Sequence, residues 1–256
     1  MDLNFIRFRF PGVANVECAF QTRTGGASAG PYAQGNVSLM VGDAPEAAAA
    51  NRAALARELG LEAVAELRQV HGDTMLFEPA AEALLQADLP PSVEGDGLAA
   101  SRPGLGLLIK TADCQPLFFA HESGCAVAAL HVGWRGNRAN FPASGLRAFC
   151  ARYGCTPNEV LAVRGPSLGP AAAEFVHFER EWGEAYAPWF DVRRRTMDLW
   201  RLTRSQLEEA GMAPERIFSL DLCTASLPQF FSYRRDTPTG RQANLIWRRP
   251  HNPCQR

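Results

Sequence analysis

Two histidines and a cysteine stand where apolar runs give way to turns. His71 closes Leu-Arg-Gln-Val and opens Gly-Asp. Cys114 follows Leu-Leu-Ile-Lys-Thr-Ala-Asp and precedes Gln-Pro, and His131 ends Ala-Val-Ala-Ala-Leu and runs into Val-Gly-Trp-Arg-Gly. Three such ligands, each at the mouth of a buried strand, suit a zinc ion with its fourth tetrahedral position left to water. The thiolate must shed its proton to bind, and the metal enforces this. The long separations match no short metal motif, so other chemistries stay open on the same residues. Cys114 could be a nucleophile activated by His71 or His131. A copper centre also uses two histidines and a cysteine, but the other histidines are scattered: His121 in a turn, His177 in an amphipathic helix and His251 in the tail. That set is too sparse for a multicopper oxidase, and copper is disfavoured.

Acids and arginines flank these ligands. Asp113 beside Cys114 and Asp73 near His71 could act as a general base or hold an imidazole in one tautomer; each could equally be a turn aspartate bonding its own backbone. Arg135 in Gly-Trp-Arg-Gly and Arg241 at the end of Ser-Tyr-Arg-Arg-Asp-Thr-Pro-Thr-Gly-Arg lie in loops near apolar strands. Their planar forks match phosphate oxygens. The Gly-rich segment 24–35 carries neither familiar nucleotide-loop spacing.

The elements that must position these residues are legible as punctuation and periodicity. A helix is expected between Asp43 as cap and Gly60 as left-handed stop, with further helices at Asn140–Tyr153, Ala171–Ala185 and Met197–Ala210. Strands are expected at Phe5–Phe10, Val16–Gln21, Leu67–Val70, Thr74–Phe77, Gly106–Lys110, Pro116–Ala120, Ala126–His131, Val160–Arg164, Arg216–Leu220 and Arg241–Trp247. Several are continuous apolar runs, as in sheets buried on both faces. The weakly patterned stretch 79–95 reads as a surface excursion. Helices and strands intersperse without strict βαβ alternation, which predicts an α/β fold of α+β type: one domain over residues 1–256, with mixed sheets packed by helices.

Composition sets outer limits. The chain has 256 residues, 46% hydrophobic and 21% charged, enough for a full core. With 26 basic against 27 acidic residues the net charge is −1, which offers no field for nucleic acid or an anionic membrane. Lys110 is the sole lysine, a bias that fits GC-rich coding. The start, MDLNFIRFRF, has no apolar run of signal length, and no window is apolar enough to span a bilayer. Seven cysteines, an odd count, then read as reduced thiols. The expectation is a soluble cytoplasmic protein, monomeric for want of a sticky stripe.

Taken together, Arg-Gln-Val-His-Gly-Asp (68–73), Thr-Ala-Asp-Cys-Gln-Pro (111–116) and His-Val-Gly-Trp-Arg-Gly (131–136) resemble the signature of the YfiH family, once described as laccase-domain or polyphenol oxidase proteins. Thr22-Arg-Thr-Gly-Gly with Asn36, Gly165-Pro-Ser-Leu-Gly-Pro170 with Glu174, and Cys223-Thr224 extend the likeness over nearly the whole chain. Val132 and Arg164-Gly165-Pro-Ser depart from the commoner family residues without touching the ligand positions. The resemblance implies a zinc site of His71, Cys114 and His131. It also implies phosphorolysis of purine nucleosides (adenosine, inosine, guanosine, methylthioadenosine), with adenosine deamination in some members and a link to peptidoglycan-precursor editing in bacterial ones. On that reading Arg135 and Arg241 serve phosphate, Gln69 and Asn36 contact base or ribose, and Asp113 shuttles a proton. A cysteine-dependent hydrolase or precursor-editing enzyme is the alternative, and a structural zinc protein that only binds a partner is a third.

Overall fold

The computed structural model describes residues 2–249; His251 lies outside them. Two sheets face each other. The first is built from β1 (Phe5–Phe8), β2 (Val16–Gln21), β13 (Gln242–Arg248), β6 (Leu105–Thr111) and β3 (Ala63–Ala65), in that order, with only β3 and β6 parallel. The second runs β12 (Ile217–Ser219), β9 (Val160–Arg164), β7 (Gln115–His121), β8 (Val127–Val132), β5 (Gly97–Ala100) and β4 (Met75–Phe77). Its edge pairs, β12 with β9 and β4 with β5, are parallel and its centre is antiparallel. A two-stranded ribbon, β10 (Phe190–Asp191) and β11 (Thr196–Met197), stands apart.

Side-chain alternation sorts these strands into layers. In β7, Phe118 and Ala120 enter the core between the sheets, whereas Leu117 and Phe119 face the other way. In β8, Val127 and Ala129 point between the sheets, and the same parity carries His131 inward at the strand's end. Phe20 of β2 stacks on Phe118 across the gap, ring centroids 5.1 Å apart. Helix α1 (Pro45–Leu59) covers the outer face of the first sheet. Helices α2 (Trp134–Arg138) and α3 (Phe141–Tyr153) follow β8, and α3 with α5 (Leu199–Glu209) covers the outer face of the second. The result is helix, sheet, sheet, helix: the mixed α/β arrangement expected.

Strands β3, β5, β10 and β11 fall outside the expected set, and three expected features are not found as read. The helix over Ala171–Ala185 is reduced to α4 (Phe178–Glu181), followed by a 3-10 turn at Glu184–Trp189. Its aromatic residues are spent on a satellite core with Trp182, Met197 and Leu202, so local packing overrides helical continuation. The run Leu67–Val70 is not a strand. Pairing with β6 ends at Ala65, and beyond it the backbone N–H groups of Val70, His71 and Gly72 turn to the carboxylate of Asp96. Asp43 does not cap α1. Ala44 is the cap residue, and Asp43 instead accepts from Ser28 Oγ and Asn36 Nδ2 while holding the Ala44 N–H. Gly60 ends α1 at φ 66°, the left-handed stop expected.

No helix among the described residues is long and apolar enough to cross a membrane.

Candidate metal centre

The three ligand candidates meet where the two sheets open at one end. His131 comes from β8 of the second sheet. Cys114 lies in the short link by which the chain leaves β6 in the first sheet and enters β7 in the second. His71 lies on the irregular segment after β3, at φ 62°. The donor atoms of His71, Cys114 and His131 all fall within 4.8 Å of one another, and His71 Nε2 stands 3.9 Å from Cys114 Sγ. The two imidazoles sit edge to face, centroids 4.8 Å apart. Burial is graded from His131 (3% exposed) through half-buried Cys114 to exposed His71, so one side of the cluster faces solvent. The cluster could hold a metal ion. Two nitrogens and a sulfur suit zinc, with bond lengths of about 2.0–2.1 and 2.3 Å, and the observed spacing needs only a small contraction to reach them. Among the described residues it is the one such group. His121 instead bonds Ser123 in a turn, and His177 precedes α4.

Asp96, absent from the sequence-based candidates, organises the centre. It is fully buried at the start of β5. Its Oδ1 accepts from His131 Nδ1 at 2.7 Å and from the His71 N–H at 3.0 Å; its Oδ2 accepts from the N–H groups of Val70 and Gly72. One carboxylate thus fixes the His71 loop and fixes the His131 ring, whose Nε2 is left for the cluster. Burial opposes ionisation of Asp96, but the bonds from His131, Gly72 and Val70 prevail and hold its pKa below the usual value.

The same electrostatics act on the metal-free site. Burial pushes the Cys114 thiol up, but His131 and His71 more than reverse this, and its pKa falls to about 6. For His131, burial favours the neutral ring, yet Cys114 and Asp96 raise it to about 9. Between those values the apo site carries a thiolate–imidazolium pair. Alkylation of Cys114 in chelator-treated protein is therefore expected to reach half its maximal rate near pH 6, read by peptide mass spectrometry. An unperturbed cysteine would give a midpoint near about 8.5, and loading metal should suppress the reaction throughout.

Gly133, just after β8, closes the centre from the other side. A Cβ there would lie 3.1 Å from Cys114 Sγ and 3.1 Å from His71 Cδ2, so the glycine is favoured by close approach, not by its dihedral angles. Asp113 adopts φ 98°, a costly region for a non-glycine residue. Its carboxylate offsets this by accepting from Thr224 Oγ1 and the Arg234 N–H, each at 2.6 Å. With both oxygens engaged, Asp113 braces the Cys114 turn.

The cluster forms the floor of a cleft of about 820 Å³. Arg241 and Arg135 both line it. Arg241 Nη1 is held by the carbonyls of Thr239 and Gly240, and its guanidinium lies 6.0 Å from the Tyr233 ring centre. Exposed Arg135 lies 4.4 Å over Trp134. The two amides are placed differently from expectation. Gln69 lines the cleft, but its side chain bonds Lys110 N and O at 2.8 Å each, extending the β6 pairing where β3 stops. Asn36 is fully buried behind the cleft lining; it bonds Ser38, Asp43 and the Arg241 N–H. Its effect is to position Arg241, a correction explained by the demand for hydrogen bonds in a buried turn.

Comparison with known proteins identifies the family. A family model described as multi-copper polyphenol oxidoreductase laccase matches residues 17–249. A purine nucleoside phosphorylase of Pseudomonas aeruginosa is 34% identical, over 93% of this chain and 96% of that protein. The purine nucleoside phosphorylase YfiH of Escherichia coli is 32% identical over the same shares. Among solved structures, YlmD from Geobacillus stearothermophilus superimposes with a TM-score of 0.86, at 28% identity and over 96% of each chain. The chain belongs to the laccase-like family whose curated members are named YfiH-type purine nucleoside phosphorylases.

Proposed function

We propose that this protein is a zinc-dependent purine nucleoside phosphorylase. The observation that carries the reading is the convergence of His71, Cys114 and His131 on the floor of a cleft lined by Arg135 and Arg241. The cleft volume lies within the range of small-ligand sites, about 300–1,000 Å³. The reading takes residues 1–256 as one working domain, because both sheets contribute to the centre.

Phosphorolysis forms a bond between a phosphate oxygen and the sugar C1′ and breaks the bond from C1′ to the purine N9. The electron pair leaves with the base, which takes up a proton, and the products are the sugar 1-phosphate and the free purine. Zinc held by His71, Cys114 and His131 would supply Lewis-acid polarisation of an oxygen or nitrogen in the cleft. The chain's own part is positional and electrostatic. Arg241 and Arg135 bring cationic forks for the phosphate, Asn36 fixes the backbone at Arg241, and Asp96 and Asp113 hold the ligand loops. Trp134 and Tyr233 offer ring surfaces for a heterocycle.

Metal-replete protein is expected to release free base from inosine, guanosine, adenosine or methylthioadenosine only when inorganic phosphate is present, as read by chromatography. Ammonia release from adenosine in the same assay reports the deaminase side activity. Unchanged nucleosides with phosphate supplied would overturn the reading. The low Cys114 pKa favours a second reading, a thiol-dependent hydrolase or precursor-editing enzyme. In that case chelation would spare activity and alkylation would abolish it.

A further inference from the structure

One acid in the cleft has no role in the fold. Glu181, at the end of α4, lines the cleft beside Trp134, Phe175, Leu168 and Leu199. Its Oε2 is shielded from solvent and has no hydrogen-bond partner among the described residues. The other cleft acids differ: Asp113 accepts from Thr224 and Arg234, and Glu174 pairs with Arg195 at 3.1 Å. The neighbouring Trp182 Nε1 also lacks a partner, but it lies in the ring cluster of Trp134, Phe175 and Tyr186 and does not line the cleft. A shielded carboxylate oxygen without a donor is costly unless a ligand or an ordered water supplies one.

The surroundings indicate which donor. Trp134 and Phe175 meet edge to face, centroids 5.9 Å apart, and with Leu168 and Leu199 give this end of the cleft an apolar wall suited to a flat heterocycle. A carboxylate at the rim of such a wall accepts from an N–H on the ring edge. A 6-oxopurine carries that hydrogen on N1. A 6-aminopurine presents a lone pair at N1, which a carboxylate oxygen repels, although its exocyclic amine can still donate. We propose that Glu181 is a specificity-determining residue that accepts the N1–H of a 6-oxopurine, so that inosine and guanosine are preferred over adenosine. This deepens the phosphorylase reading and, for turnover, rests on it.

The test is Glu181→Gln in the full chain, with the melting temperature as a check on folding. The kcat/KM for inosine is expected to fall about tenfold, because a neutral amide oxygen that must also be turned toward N1–H accepts more weakly than a carboxylate. That for adenosine should hold or rise, because glutamine can donate to its N1. Glu181→Asp keeps the acceptor and should keep the order of preference. An equal fall for both nucleosides, or no change in either, overturns the proposal. Calorimetric binding of hypoxanthine and adenine separates the two readings. If no nucleoside is phosphorolysed, yet hypoxanthine binds preferentially and Glu181→Gln removes the preference, the phosphorylase reading fails and the role of Glu181 stands. If nucleosides turn over but the variant leaves the preference in place, the reverse holds.

Discussion

Replacing Cys114 with alanine is expected to remove bound metal and to lower phosphorolysis by about three orders of magnitude. Loss of the sulfur leaves two imidazoles, one of them exposed on a loop, and two neutral ligands do not retain zinc against buffer. The rate loss follows because Lewis-acid stabilisation is worth several kcal/mol, and each 1.36 kcal/mol is about tenfold. Folding should survive. Cys114 is half-buried in a turn braced independently by Asp113, whose bonds to Thr224 and Arg234 do not involve the thiol. Metal analysis and a nucleoside assay on the same preparation check the expectation. A variant that retains one metal per chain and full turnover would show that the sulfur is not a ligand.

Asp96→Ala is expected to damage both stability and metal affinity. The carboxylate satisfies the N–H groups of Val70, His71 and Gly72 and the Nδ1 of His131. Leaving buried donors unpaired costs about 1–3 kcal/mol each. Some of these N–H groups will reach water at the exposed loop, so a net loss of about 3 kcal/mol is expected, or about 6–12 °C in Tm for a chain of this size. Metal affinity should fall about 10–100-fold because the His131 ring is no longer oriented. Asp96→Asn preserves shape but turns one acceptor oxygen into an NH2 donor that faces two N–H groups, so it should recover little of the stability and none of the affinity. Thermal melts and a competition titration with a chelator read the two effects separately. Unchanged metal affinity in Asp96→Ala would confine Asp96 to holding the loop.

The meeting of His71, Cys114 and His131 was legible because chemistry and punctuation coincide there. Each of His71, Cys114 and His131 follows an apolar run and precedes a turn, and the alternation of β8 points His131 into the gap between the sheets. Long, continuous apolar runs were equally plain, and Val16–Gln21 and Val160–Arg164 fall at their expected bounds. Asp96 was not legible. It stands between two glycines, one residue beyond a stretch that reads as a surface excursion, and opens a Gly-Leu-Ala-Ala strand with little β preference of its own. Its importance arises from a bond to His131, 35 positions along the chain, that no local pattern encodes. Asn36 and Gln69 show the converse. Both are amides in the right motifs, yet each is taken up by backbone groups that burial leaves in need of a partner. The lost helix at Ala171–Ala185 has the same origin, because Phe175, Phe178 and Trp182 gain more from the aromatic cluster under the cleft than from helical continuity.

X-ray absorption at the zinc edge of the purified, unmodified chain bears most directly on whether two imidazoles and a thiolate share one ion. The expected spectrum has one sulfur scatterer at about 2.3 Å and nitrogen or oxygen scatterers at about 2.0–2.1 Å, from one zinc per chain. A spectrum without sulfur, or a protein that carries no zinc after growth and purification with the metal supplied, would contradict it.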